Sequence, residues 1–141
     1  MYSSKKTSNT LQSKEGGKSE KIETLPTQKD NKPIMKLLLD LDYNYDDFYM
    51  SMRGFIVDHI KLMAQLFQYN ILKIEETKSR NNNVHIYITV QYDGDVNKLA
   101  HFLYSLGDDP NHTRLSLFRY KKLGTFITFS IGRDSHTFSN L

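Results

Sequence analysis

What most constrains this chain is the order in which its apolar pattern changes period. Met35-Lys36-Leu37-Leu38-Leu39-Asp40-Leu41-Asp42 is an apolar run of strand length, too short for a stable isolated helix. From Phe48 to Tyr69 the apolar residues fall instead at Phe48, Met52, Phe55, Ile56, Ile60, Met63 and Phe67, mostly three and four apart. That spacing predicts an amphipathic helix facing a core. The acids of Tyr43-Asn44-Tyr45-Asp46-Asp47 suit its N-terminus, and Asn70 is expected to close it. Gly54 weakens its middle and would allow close packing on a sheet.

The pattern then returns to strand. Ile71 to Thr77 and Val84 to Val90 (V-H-I-Y-I-T-V) flank the polar turn Ser79-Arg80-Asn81-Asn82-Asn83, which predicts a hairpin. Asp95 caps a second helix, Val96 to Leu106, with Leu99, Phe102, Leu103 and Leu106 on one face and Gly107 as its stop. Asp108-Asp109-Pro110 reads as a turn. Residues 111 to 120 fit helical spacing and strand alternation equally, and Thr125 to Ile131 reads as a last strand. The expected fold class is α+β: a ferredoxin-like split β-α-β-β-α-β domain over 34–134. Its antiparallel four-stranded sheet would carry two helices on one face, ahead of a frayed end at 135–141. Such a fold hosts many unrelated functions and licenses none by itself.

Residues 1–33 are rich in Ser, Thr, Lys, Gln, Glu and Gly with only isolated apolar residues, and read as a disordered polar tail. The tail holds seven lysines against four acids, which is the whole +3 of the chain; the remainder has 12 basic and 12 acidic residues. A basic isoelectric point is therefore no argument that the folded part binds nucleic acid at large. Its charge is segregated, with Asp40, Asp42, Asp46, Asp47 and Asp58 early and Arg114, Arg119, Lys121, Lys122 and Arg133 late. The absence of cysteine excludes disulfides, thiolate zinc sites and thiol nucleophiles. No apolar run approaches the ~20 residues of a membrane span, and the lysines of the N-terminus precede no apolar signal core. A cytoplasmic protein is expected.

Three constellations stand out. Asp40 and Asp42, two apart at a strand end, would point to one face, where a divalent cation such as Mg²⁺ or Mn²⁺ relieves their repulsion; a solvated strand end is the plainer alternative. Ser79 and Arg80 begin the turn that leads to His85, which alternates with Tyr87 and Thr89 away from Val84, Ile86 and Ile88. An outward His beside Tyr87 suits a phosphate or a base, and a half-exposed polar strand face is the alternative. Leu106-Gly107-Asp108-Asp109-Pro110-Asn111-His112-Thr113-Arg114 leads to Arg119, Tyr120, Lys121 and Lys122, a mixture of bases and aromatics that suits backbone contact or an ordinary basic turn. No Walker A loop, GxGxxG, GxSxG, HxH or HExxH is present, and no residue is assigned a catalytic role.

L-L-L-D-L-D on the first strand and S-R-N-N-N-V-H-I-Y-I on the hairpin, followed by a helix and a later strand, resemble the palm of archaeo-eukaryotic primase-polymerases. The chain also looks like small proteins of archaeal viruses and plasmids that join such motifs to an L-G-D-D-P-x-x-x-R segment, here Leu106 to Arg114. The resemblance implies metal ligation by Asp40 and Asp42 and contact of Ser79 and His85 with an incoming nucleotide. The third acid of such palms has no counterpart in Thr125 to Ile131, and asparagines stand where glycines usually precede the histidine. The expected function is thus a primase-like, nucleic-acid-associated module of an archaeal replicon, binding nucleotide or single-stranded nucleic acid for DNA replication. A metal-free binder that stacks bases on Tyr87, Tyr92 and Tyr120 is a variant of it. The alternative is a protein-interaction or assembly subunit without catalytic activity.

Overall fold

The computed structural model describes residues 31–127 and 135–138. Strand β1 is Ile34–Asn44, helix α1 Asp47–Phe67, β2 Asn70–Lys78, β3 Asn83–Gln91, α2 Val96–Ser105, α3 Pro110–Leu123 and β4 His136–Phe138. The four strands form one antiparallel sheet in the order β1-β3-β2-β4. The described residues are therefore α+β, with a four-stranded antiparallel sheet and three helices. Helix α1 carries the chain past one strand position, so β2 runs parallel to β1 and the hairpin partner β3 fills the gap between them.

Alternation along the strands decides which side is core. Met35, Leu37 and Leu39 of β1 and Val84, Ile86, Ile88 and Val90 of β3 are buried, and the register sets Leu37 opposite Ile88 and Leu39 opposite Ile86. These residues join Ile74 of β2, Val57, Ile60 and Ala64 of α1, and Leu99, Phe102 and Leu103 of α2 in one apolar cluster. Rings close one side of it: Phe102 meets Phe67 and Tyr69 edge-on at 5.3 and 5.1 Å, and Tyr69 meets Tyr92 at 6.3 Å. Helix α1 starts where the Asp46 side chain accepts the Tyr49 N–H at 2.9 Å, and it stops at Gln68, in the left-handed region at φ 62°, two residues before Asn70.

Several sequence expectations need correction. The ambiguous stretch after Asp108-Asp109-Pro110 is helix α3: Asp109 accepts the His112 N–H at 3.1 Å, Pro110 takes the first position, and Gly124 closes the helix at φ 79°. Residues 125–127 are not strand, and residues 128–131 lie outside the described residues. The fourth strand comes from the end read as frayed, pairing Phe138 with Ile74, Thr137 with Glu75 and His136 with Glu76. On α1, Phe48 and Phe55 are exposed rather than core-facing. Gly54 is exposed too, and a Cβ there would meet nothing within 4 Å, so its missing side chain serves no packing on the sheet. The tail expected over 1–33 falls, up to residue 30, outside the described residues.

Candidate functional site

Asp40 lies directly across the ladder from His85, and His85 from Thr77 of β2. The flanking Leu39 and Ile86 belong to the core cluster, so Asp40 and His85 occupy the other face, both half-buried. Past Asp40 the register breaks, and the next pair is Asn44 with Asn83. Within that break Asp42 adopts φ 60° and donates its N–H to Asp40 Oδ1 at 3.3 Å. The expectation that Asp40 and Asp42 share one strand face is therefore corrected: alternation ends at the left-handed residue.

Asp40 is also the anchor of the Leu106–Arg114 segment. Its N–H donates to Asp108 Oδ1 at 2.8 Å, and its carbonyl accepts the Asp109 N–H at 3.3 Å. Asp108, only 3% exposed, collects two further partners. Thr113 Oγ1 donates to its Oδ2 at 2.5 Å, and His112 Nδ1 lies 3.0 Å from both carboxylate oxygens. Gly107, at φ 95°, makes the sharp turn that brings this carboxylate against the open edge of β1.

The hydrogen bond to Asp108 holds the His112 imidazole above the ordinary histidine range; burial opposes this, and the charges of Asp108 and Asp40 reinforce it. A histidine raised in the folded state contributes stability that is complete below its unfolded value, near 6.5, and is lost as pH rises through the folded value. Thermal unfolding of wild type and His112→Gln between pH 5.5 and 9 should therefore show the wild-type advantage shrinking toward alkaline pH. An advantage that is constant or grows with pH would contradict this pairing.

The remaining sequence candidates fall into two groups. Ser79 closes the β2–β3 turn: its Oγ accepts the Asn83 N–H at 3.0 Å, and its carbonyl accepts that of Asn82 at 3.0 Å. Asn82 in turn accepts the Tyr45 N–H at 2.7 Å, so this turn, with exposed Arg80, sits beside the loop that follows Asp42. Helix α3 leads the other group away, since its 14 residues climb about 20 Å. Arg114 is exposed and donates to Asn111 Oδ1 at 3.1 Å. Arg119 Nη1 donates to the Phe126 carbonyl at 2.7 Å, fastening the chain after α3. Lys121 and Lys122 sit exposed in the last turn, where they complement the helix dipole, and Lys122 lies 5.0 Å over the Phe118 ring.

The tyrosines expected as stacking platforms are packed. Tyr87 is 3% exposed between Leu38 and Glu75, which face it across the ladder, and burial pushes its hydroxyl up. Tyr92 is buried against Tyr69, and the half-buried Tyr120 lies 5.8 Å from Phe126. A base cannot lie flat on a ring already covered by its own protein.

Sequence reading missed Glu76, which is 1% exposed and faces the core. Its Oε1 accepts from Arg53 Nη1 at 2.8 Å and from Tyr45 at 3.0 Å, and its Oε2 accepts from the Tyr49 hydroxyl. Arg53 also lies 5.5 Å over Phe138, so this network ties α1, β2 and β4 together. The available signal was Glu76 two residues after Ile74, a carboxylate on the core-facing side of a strand. Glu75, on the other side, is buried between Lys36 at 3.6 Å and Lys73 at 3.3 Å.

Compared with protein-family models, with curated proteins and with solved structures, the chain matches none. Among the described residues no helix is long and apolar enough to cross a membrane.

Proposed function

We propose that the chain is a nucleic-acid-associated, palm-like module of an archaeal replicon or virus, acting in the cytoplasm and binding a nucleotide or single-stranded nucleic acid at the Asp40 end of β1. One observation carries the reading: three segments far apart in sequence meet at Asp40. His85 stands across the ladder from it, and the Asp108 carboxylate takes its N–H. On this reading the finer fold is ferredoxin-like, with β1-β3-β2 as the split βαβ unit and α1 and α2 on one face. His85 and His112 contact phosphate, and Arg114 follows the nucleic-acid backbone. Ser79 and Arg80 border the site from the hairpin turn; Lys121 and Lys122 add long-range attraction. Asp40 and Asp42 are the residues that would hold Mg²⁺ or Mn²⁺, which would supply charge for the phosphates. The left-handed backbone at Asp42 leaves that pair without a preset strand face, so phosphate contact through the histidines does not depend on it.

The test is titration of a fluorescent single-stranded oligonucleotide at low and moderate salt, with Mg²⁺ and with EDTA. Binding should weaken with salt, and His85→Ala should weaken it about 10-fold, the scale of one charge-assisted contact. Loss of binding in EDTA and in Asp42→Ala would bring the cation into the account. No binding at any salt overturns the reading.

A second reading, an assembly subunit, is favoured by one observation: apolar side chains line the solvent side of α1 while Tyr87 and Tyr92 are packed inward.

A further inference from the structure

Helix α1 carries two apolar stripes, and its own domain uses only one. The first, with Val57, Ile60 and Ala64, enters the core. The second runs through Phe48, Met52, Phe55, His59, Leu62 and Leu66, at intervals of four, three, four, three and four residues. An alternating three-four interval is the seam of a helix that packs along another helix, knobs into holes. Phe48, Phe55, Leu62 and Leu66 are 68%, 72%, 53% and 68% exposed, so the seam faces outward over about 31 Å of helix.

We infer that this seam is the interface of a homodimer, α1 packed antiparallel on α1 of a second copy. Three observations point to a second copy. First, the seam is self-complementary. In an antiparallel pair centred between Phe55 and His59, Phe48 meets Leu66 of the other chain, Met52 meets Leu62, and Phe55 meets His59. A parallel pair would instead set His59 on His59 and the acidic N-termini, with Asp46 and Asp47, side by side.

Second, the area fits. At roughly 150–250 Å² per aromatic side chain, the two phenylalanines alone expose on the order of 250 Å². With the rest of the seam the stripe reaches roughly 500 Å², at the upper end of what monomers leave open. Two copies would bury about 1,000–1,200 Å², the threshold of a specific interface.

Third, a cavity of about 190 Å³ opens beside the middle of the seam, between His59 and Ile56 of α1, Leu41 and Tyr43 of β1, and Leu106. In the antiparallel pair the other chain's Phe55 stands at its mouth, an aromatic anchor over an apolar pocket near the two-fold axis.

The full chain is tested by sedimentation velocity from about 1 to 500 µM. A dimer, twice the 16.5 kDa of one chain, should form in the micromolar range. Phe55→Glu with Leu62→Glu should be monomeric throughout while keeping the wild-type circular dichroism and a cooperative, concentration-independent melting curve, since both positions face solvent in the monomer. A wild type monomeric at every concentration, or a dimer that survives the double substitution, overturns the inference. Orientation is read from single cysteines in a chain that has none of its own. Asp58→Cys, near the two-fold axis, should cross-link two copies on oxidation and Leu66→Cys should not; cross-linking through Leu66→Cys overturns the antiparallel arrangement.

Discussion

Glu76→Ala is expected to be the most damaging single substitution in the domain, at about 3–5 kcal/mol. Three donors converge on this carboxylate from α1 and the loop before it: Tyr45, Tyr49 and Arg53. Alanine leaves the two hydroxyls without their acceptor and the Arg53 guanidinium, itself half-buried, without a counter-charge. Folded domains are stable by only about 5–15 kcal/mol, so much of the margin goes. Urea unfolding followed by circular dichroism measures it. Glu76→Gln keeps one acceptor oxygen, and its amide N–H can donate to the tyrosine hydroxyl that loses its acceptor, so it should cost less, about 1–3 kcal/mol. Arg53→Met in the Glu76→Ala background should recover part of the loss, because it removes the stranded charge. A Glu76→Ala loss below about 1 kcal/mol would show that the network does not hold α1 to β2.

Asp108→Ala is expected to cost about 3 kcal/mol and to loosen the Asp40 end of the sheet. It removes at once the acceptor of the Asp40 N–H, of the Thr113 hydroxyl and of His112. Asparagine retains one acceptor oxygen, so Asp108→Asn should fall between alanine and wild type. Two readouts separate this hub from a generic core defect. The His112 imidazole should titrate closer to its ordinary range, seen by NMR, because its largest raising influence is gone. Hydrogen exchange at the Asp40 and Asp109 amides should accelerate more than at Ile88 in the sheet centre. Unchanged titration of His112 would sink the assignment of Asp108 as its partner.

Element types were legible where local signals agreed. V-H-I-Y-I-T-V became β3 because β-branched and aromatic residues fit a pleated, half-buried ladder. Asp95 capped α2 as expected, accepting the Lys98 N–H at 3.1 Å. Helix α3 was as readable: Asp109 before Pro110, with Gly124 beyond, is a start-and-stop pair. Reading Asp108-Asp109-Pro110 as a turn hid it. His136–Phe138 was not legible, since three residues carry no period and their pairing depends on the β2 edge.

For the candidate site, the sequence by itself determined the residue types and the strand that places Asp40 and His85. Only the tertiary structure decided what they meet. The pairing of His85 with Asp40, the burial of Asp108 against the edge of β1 and the convergence on Glu76 each join residues tens of positions apart. The same holds for the two stripes of α1. Both have helical spacing in sequence, and only the packing of the sheet against Val57, Ile60 and Ala64 decides that Phe48, Phe55, Leu62 and Leu66 are left outside. Local propensity acts along the chain, whereas burial depends on which distant surface arrives, and that follows from how the whole chain excludes water.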